Sequence, residues 1–165
     1  MLLITEITAQ DEPYNEQLIL PFDRRQKSRL RVTLASGEEA GIFMARGTVL
    51  RGGDRLKAAD GRVVLIVAAD EPVMRVTADT PIQLMRAAYH LGNRHIPLEV
   101  GEGWLKLLQD HVLQEMLTGL GVAVVYQEAS FEPEGGAYGG GHRHSGDDSP
   151  AEFIRLPLSL RKRRD

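Results

Sequence analysis

The chain contains no cysteine, and this absence excludes several kinds of chemistry. Without thiols there can be no disulfide framework, no thiolate metal site and no cysteine nucleophile. Aromatic residues are also scarce, at 5% of the sequence, so any core must consist mainly of Leu, Val, Ile and Ala. A site for a transition metal would have to use imidazole, thioether or carboxylate ligands.

The sequence also lacks an excess of positive charge and a long apolar run. A formal net charge of −3 gives no overall basic field of the kind that attracts nucleic acid. The longest apolar run, at residues 63–69, is far too short to span a bilayer, and no signal peptide is apparent. We therefore expect a cytoplasmic protein that binds neither nucleic acid nor membrane.

The hydrophobic pattern changes near residue 70, and this change divides the chain into two predicted domains. Before it, short apolar runs alternate with glycine-containing turns. In residues 28–36, for example, Leu30, Val32 and Leu34 alternate with polar residues, as in a half-buried strand. Six or so short strands at this spacing predict a small all-β domain, a barrel or a two-sheet sandwich, over residues 1–70.

The second predicted domain, residues 71–132, begins with a strand and a helix whose boundaries are marked. Thr80 and Gln83 can form a capping box, and Pro81 fits the first helical position. One apolar face follows, formed by Leu84, Ala87, Ala88 and Leu91. Gly92 then stands where the glycine that ends a helix is expected.

A second helix is predicted after Asp110, which can cap it, with Val112 among the residues of its inner face. A final strand ends near Phe131 and completes the order β-α-β-β-α-β, which is the ferredoxin-like plan. Residues 133–165 are rich in Gly, Ser, Asp and Pro before a basic end, and predict a flexible tail. The predicted class is α+β: a small all-β domain, a ferredoxin-like domain and a tail.

Histidine offers the most direct route to metal chemistry in this sequence, because neutral imidazole is the commonest protein metal ligand. However, a histidine near a helix C-terminus is often explained by the helix dipole, and a loop histidine is usually only solvated. A metal site also needs three or four ligands. From the residues alone, packing, solvation and ligation therefore stay open for each of the five histidines, which are His90, His95, His111, His142 and His144.

Two other functions compete at this level. The basic run at residues 24–31 would suit a nucleic-acid-binding ferredoxin-like module, although such a run is more often a solvated strand face. A hydrolase using a histidine-bound metal is the second alternative. We expect no enzyme, because the sequence contains no nucleophile-elbow or phosphate-loop motif and no obvious carboxylate pair in an apolar setting.

Spaced motifs in the second half of the chain resemble the UreE family of urease accessory proteins, which are nickel metallochaperones. They are YHLGNRHIPLEV (89–100), DHVLQEML (110–117) and FEPEGGAY (131–138), and the resemblance covers essentially residues 1–138. It implies a homodimeric protein that holds Ni²⁺ at the dimer interface and delivers it for assembly of the urease active site. The implied partners are apo-urease and its accessory GTPase complex.

The resemblance also implies which histidines bind the metal. His95 matches the family histidine at the two-fold interface, where two copies of one residue share one Ni²⁺. His111 matches an additional, weaker ligand of some members. Tail histidines add further ligands in the family, and here only His142 and His144 are available.

Other expectations concern the surroundings of the metal and the first domain. His90 and Asp110 match family positions for which a structural or supporting role is expected. Cu²⁺ and Zn²⁺ are expected to bind in vitro as well. The N-terminal β domain resembles a peptide-binding module, so partners are expected to dock there, although the sequence alone assigns no residue to that task.

Overall fold

A computed structural model describes residues 1–136 of the chain. Residues before position 70 form a six-stranded mixed sheet in the order β2-β6-β5-β1-β4-β3. A backbone hydrogen bond from Ala35 N to Gln17 O (3.3 Å) links its two ends, so the sheet is barrel-like, as predicted. Its elements are β1 (Leu2–Thr8), β2 (Glu16–Leu20), α1 (Phe22–Arg25), β3 (Arg29–Thr33), β4 (Glu39–Phe43), β5 (Arg55–Ala58) and β6 (Val63–Ala68).

The alternation predicted for residues 28–36 is confirmed, because Val32 and Leu34 are buried in the core of this sheet while Arg29 and Arg31 are exposed. Strand β2 ends at Leu20, because Pro21 is followed by the one-turn helix α1. Residues 48–50 belong to no strand.

The remaining elements form a four-stranded antiparallel sheet in the order β10-β7-β9-β8, and the predicted ferredoxin-like plan is confirmed. Helices α2 and α3 pack on one face of the sheet, where Met74 and Leu107 meet Leu91 and Leu117 in one apolar cluster. The elements are β7 (Asp70–Thr77), α2 (Pro81–Asn93), β8 (Glu99–Gly101), β9 (Trp104–Leu108), α3 (His111–Gly119) and β10 (Ala123–Ser130).

Both helices begin as predicted. Thr80 and Gln83 form the capping box of α2, and the Asp110 carboxylate accepts a hydrogen bond from Leu113 N (2.9 Å) at the start of α3. Val112, which was predicted on the inner face, is 52% exposed. Leu113 faces the sheet, and successive residues of a helix point in directions about 100° apart, so Val112 points away from the sheet. Neither helix, nor any other in the described residues, is long and apolar enough to cross a membrane.

A buried arginine joins the two sheets. The Arg25 side chain has no exposed surface, and its guanidinium donates hydrogen bonds to Leu20 O and Leu50 O in the first domain (both 3.1 Å). It also donates to Phe131 O and to Glu132 Oε1 (3.0 Å), beyond β10. Burial lowers the pKa of Arg25, and the Glu132 carboxylate opposes this shift.

The segment that follows β10, residues 131–134, is bonded to the first domain at further points. Arg51 donates a hydrogen bond to Pro133 O (2.6 Å), and Gly52 N donates one to Glu132 Oε1 (2.7 Å). The Phe131 ring packs edge-to-face on Phe22, with centroids 5.6 Å apart. We call residues 131–134 the connecting segment.

The connecting segment is also bonded to the second sheet. Glu132 N donates to a Glu99 carboxylate oxygen (2.9 Å), which accepts from Lys106 as well (2.9 Å). Glu134 N donates to Leu98 O (2.6 Å), just before β8. The first two residues of the predicted tail, Pro133 and Glu134, therefore belong to the same compact unit as the two sheets.

We predict that Arg25→Ala will lower the free energy of unfolding by about 3 kcal/mol or more, because three carbonyl oxygens and a carboxylate lose their donor in a water-poor site. The matched control is Arg24→Ala, which removes the neighbouring, half-buried arginine with its one hydrogen bond and should cost about 1 kcal/mol or less. Denaturant unfolding followed by circular dichroism measures both. Equal losses for the two variants would contradict a joining role for Arg25.

Candidate metal centre

The end of α2 carries His90, for which a structural or supporting role is expected, and is followed by the candidate ligand His95. Both residues are exposed. The helix runs through Gly92 and ends at Asn93, so the prediction that Gly92 is the terminating glycine was wrong. The terminating position is held by His95, with φ +57°, which is the only positive φ of a non-glycine residue within residues 1–136.

Backbone hydrogen bonds define this helix end. His95 N donates to Gly92 O (2.9 Å), and Ile96 N donates to Leu91 O (3.1 Å). These are the two bonds of a Schellman motif, in which a left-handed residue follows the helix and the next residue packs back on it. Ile96 and Leu91 indeed belong to the same apolar cluster. The core contact of Ile96 therefore holds His95 in its conformation.

A left-handed backbone costs a non-glycine residue about 1–2 kcal/mol. Such strain is found mainly where the surrounding structure imposes it and often where the side chain has a function. The His95 residue is exposed beyond the helix. The geometry therefore presents an exposed imidazole at a position where glycine would be the less strained residue.

An exposed apolar stripe runs along α2 towards this helix end. Ile82, Met85 and Tyr89 are 53%, 64% and 69% exposed, and their spacing of i, i+3 and i+7 puts them on one face. This face lies opposite the buried one formed by Ala87 and Leu91. We call these three residues the α2 stripe. The sequence could have indicated this stripe, because residues 82–91 contain more apolar side chains than a single buried helical face can accommodate.

His111 is on a different element from His95, at the first position of α3. It is exposed and lines an open cleft with Gln109, Asp110 and Tyr126. The Tyr126 hydroxyl, on β10, donates a hydrogen bond to the side chain of Gln114, which lies on α3 with His111. Asp110 is engaged as the helix cap, as predicted, and this agrees with a structural role for it.

The candidate residues of one chain do not converge on a closed metal site. Within residues 1–136, no three histidine or acidic side chains are grouped so that they could hold one ion. His142 and His144 lie outside the described residues. The described part of a single chain therefore offers separate, exposed imidazoles rather than a complete coordination shell.

Comparison with known proteins shows where this arrangement belongs. A family model described as UreE urease accessory protein, N-terminal domain, matches residues 4–69, and the corresponding C-terminal domain model matches residues 71–153. The chain belongs to the UreE family. The two models meet at the change of pattern near residue 70, and both domains of the family are present.

Curated relatives agree with this assignment. A protein named urease accessory protein UreE from Nitrosospira multiformis is 53% identical over 150 residues, covering 90% of this chain and 85% of the relative. A protein of the same name from Cupriavidus necator is 57% identical over 136 residues, with coverage of 82% and 71%. One from Alkalilimnicola ehrlichii is 53% identical over 140 residues, with coverage of 85% and 86%.

The strained helix end generates a prediction. His95→Gly should raise the free energy of unfolding by about 0.5–1 kcal/mol, because glycine adopts a positive φ without steric cost. The control Asn93→Gly puts glycine inside the last helical turn and should lower it by a similar amount. Thermal unfolding without added metal measures both. If both substitutions were destabilising to the same degree, His95 would not be strained.

Proposed function

We propose that this chain is a nickel metallochaperone that delivers Ni²⁺ for assembly of the urease active site, and that it acts as a homodimer without enzymatic activity of its own. The observation that carries the proposal is the position of His95. Its exposed imidazole stands in a left-handed conformation at the end of a helix with an exposed apolar stripe. The curated relatives, all named urease accessory proteins, support the same function.

On this proposal, two chains complete a site that one chain leaves incomplete. In a two-fold dimer the same surface of each copy meets, and a residue near the axis meets its own counterpart. The α2 stripe supplies apolar area for such an interface, which is more apolar in its core than an ordinary surface. Two His95 imidazoles at the axis would then share one Ni²⁺.

The connecting segment favours a contribution from the tail. Glu134 N is bonded to Leu98 O, and Leu98 follows His95 by three residues. His142 follows Glu134 by eight residues, and a chain of that length spans at most about 28 Å. On this proposal His142 and His144 would act as additional ligands, while His111 would provide a weaker, separate site.

A site of this kind suits transfer of a metal ion. Few protein ligands, with water in the other positions, would allow the ion to be exchanged to a partner. Imidazole suits Ni²⁺, but an imidazole site binds Cu²⁺ more tightly by the Irving–Williams order, and Zn²⁺ binds as well. Selectivity for nickel would then come from its supply in the cytoplasm and from its transfer to apo-urease through the accessory GTPase complex.

The central test replaces the proposed ligand. We predict that His95→Ala will abolish the tightest Ni²⁺ site. The loss of nickel affinity should exceed the roughly 10–100-fold loss that removal of a supporting group causes. Isothermal titration calorimetry of wild type should give about one tight ion per dimer. A tight site of unchanged affinity and stoichiometry in the variant would refute the proposal.

Two further variants separate His95 from the other histidines. His90→Ala should retain the tight site, since we expect a structural or supporting role for that residue. Truncation after Tyr138 removes His142 and His144 and should lower only the total nickel bound at weaker sites. Loss of all binding on truncation would assign the main site to the tail instead.

The interface makes a prediction of its own. Met85→Glu introduces two like charges at the proposed interface and should weaken dimerisation by about tenfold or more, equivalent to 1.4 kcal/mol. Ile19→Glu is the control, because it alters an equally exposed apolar residue in the first domain. Sedimentation equilibrium measures the dimer, and the tight nickel site should be lost in parallel. A dimer that resists Met85→Glu would place the interface away from the α2 stripe.

A further inference from the structure

The outer face of the first sheet carries an apolar patch that the proposed metal chemistry does not use. Met1 is 70% exposed, and Leu3 and Phe43 are each 43% exposed. Leu3 on β1 and Gly41 on β4 are paired in register, and Phe43 lies two residues further along β4 on the same face. We call Met1, Leu3 and Phe43 the outer patch.

The outer patch is continuous because Gly41 has no side chain. A Cβ atom added to Gly41 would lie 2.8 Å from the Phe43 ring and 3.5 Å from the Met1 terminal methyl group. Both side chains therefore converge above the Gly41 backbone. Any larger residue at position 41 would displace the Phe43 ring. Glycine at this position therefore allows the ring to lie against the backbone of β4.

A cluster of cations adjoins the outer patch. Lys27, Arg29 and Arg46 line one cleft together with Ser28 and Met44, and all three cations are exposed. Met44 N donates to Ser28 O, so the adjacent pair Arg29 and Phe43 is a non-hydrogen-bonded pair whose side chains stand close together on one face. We call Lys27, Arg29 and Arg46 the basic cleft.

The basic cleft is poorly neutralised by the protein itself. In the described part of the chain, Arg29 and Arg46 form no ion pair, and Lys27 has only an exposed Asp23 carboxylate at 4.0 Å. Such an exposed pair contributes little. The chain as a whole carries a net charge of −3, so this local excess of positive charge stands against the overall sign.

Binding at this surface would occur on the face of the sheet rather than at its edge. β3 is the last strand of the sheet, and the backbone groups of Arg31 point away from β4. The Arg31 carbonyl already accepts a hydrogen bond from the Arg24 guanidinium (2.7 Å). Addition of a further strand would have to displace that bond, whereas the outer patch and the basic cleft are open.

We infer that the outer patch and the basic cleft together dock an acidic segment of a partner protein. An apolar side chain of that segment would pack on Phe43 above Gly41, and neighbouring carboxylates would pair with Arg29 and Arg46. Single-stranded nucleic acid fits less well, because it requires several aromatic platforms and this surface has one. The inference does not depend on nickel binding.

A selection experiment tests the chemistry of the partner. Random dodecapeptides displayed on phage are selected against the full-length protein. The expected result is enrichment of peptides with two or more acidic residues beside an apolar one. No enrichment, or enrichment of neutral or basic peptides, would overturn the inference.

Binding of one enriched peptide, synthesised with a fluorescent label, then tests the surface by anisotropy. Phe43→Ser and Arg29→Glu should each weaken binding about tenfold, equivalent to 1.4 kcal/mol, and binding should decline as salt screens the charges. The controls Ile19→Ser and Lys57→Glu alter an exposed apolar residue and an exposed cation elsewhere in the same sheet, and should change binding less than about twofold.

The remaining outcomes are also decisive. Equal weakening by the control and test variants would overturn the assigned surface. Displacement of the peptide by an equimolar thymidine dodecanucleotide, with the same sensitivity to Arg29→Glu, would replace the peptide with nucleic acid as the ligand. Nickel titration of Phe43→Ser and Arg29→Glu should match wild type, which separates a failure of this inference from a failure of the proposed metal site.

Discussion

The guanidinium of Arg25 occupies a fully buried position between the two sheets, and its contacts join the first domain to the segment that follows β10. A buried cation is tolerated only when acceptors surround it, and here Leu20 O, Leu50 O, Phe131 O and the Glu132 carboxylate do so. These bonds fix the connecting segment. The connecting segment in turn is bonded to the backbone at Leu98, just before β8. The contacts of Arg25 in the first domain therefore help to fix the path of the chain as it leaves the second domain.

Local features of the fold could be predicted from the sequence where one or two side chains decide them. The capping box of Thr80 and the cap by Asp110 are of this kind, because a helix start depends on nearby polar groups. The end of α2 could not, since the core contact of Ile96 outweighs the preference for glycine at the position of His95. The basic run at 24–31 also looked uniform, yet Arg25 is buried whereas Arg29 is exposed.

The candidate site was only half predictable for a related reason. Motif resemblance selected the histidines, but the sequence alone could not show that the described residues of one chain bring no three possible ligands together. The predicted inner face of α2 does belong to the apolar cluster, but the exposed α2 stripe opposite to it was not predicted. On the proposed function this incompleteness is useful, because a shell completed only by association can be opened by dissociation or exchange. A closed site with four ligands would hold its ion more firmly.

The hydrogen bond from Arg24 to the Arg31 carbonyl has a consequence for the behaviour of the protein at high concentration. Backbone groups that are left without a neighbouring strand are a template on which further chains can assemble. A long cationic side chain lying across that template makes the approach of another strand unfavourable at β3. Association through the side chains on a sheet face ends once the two surfaces are paired, whereas association through strand edges can continue from chain to chain. Arg24 is therefore expected to limit edge-to-edge association, a role separate from the stability of the fold.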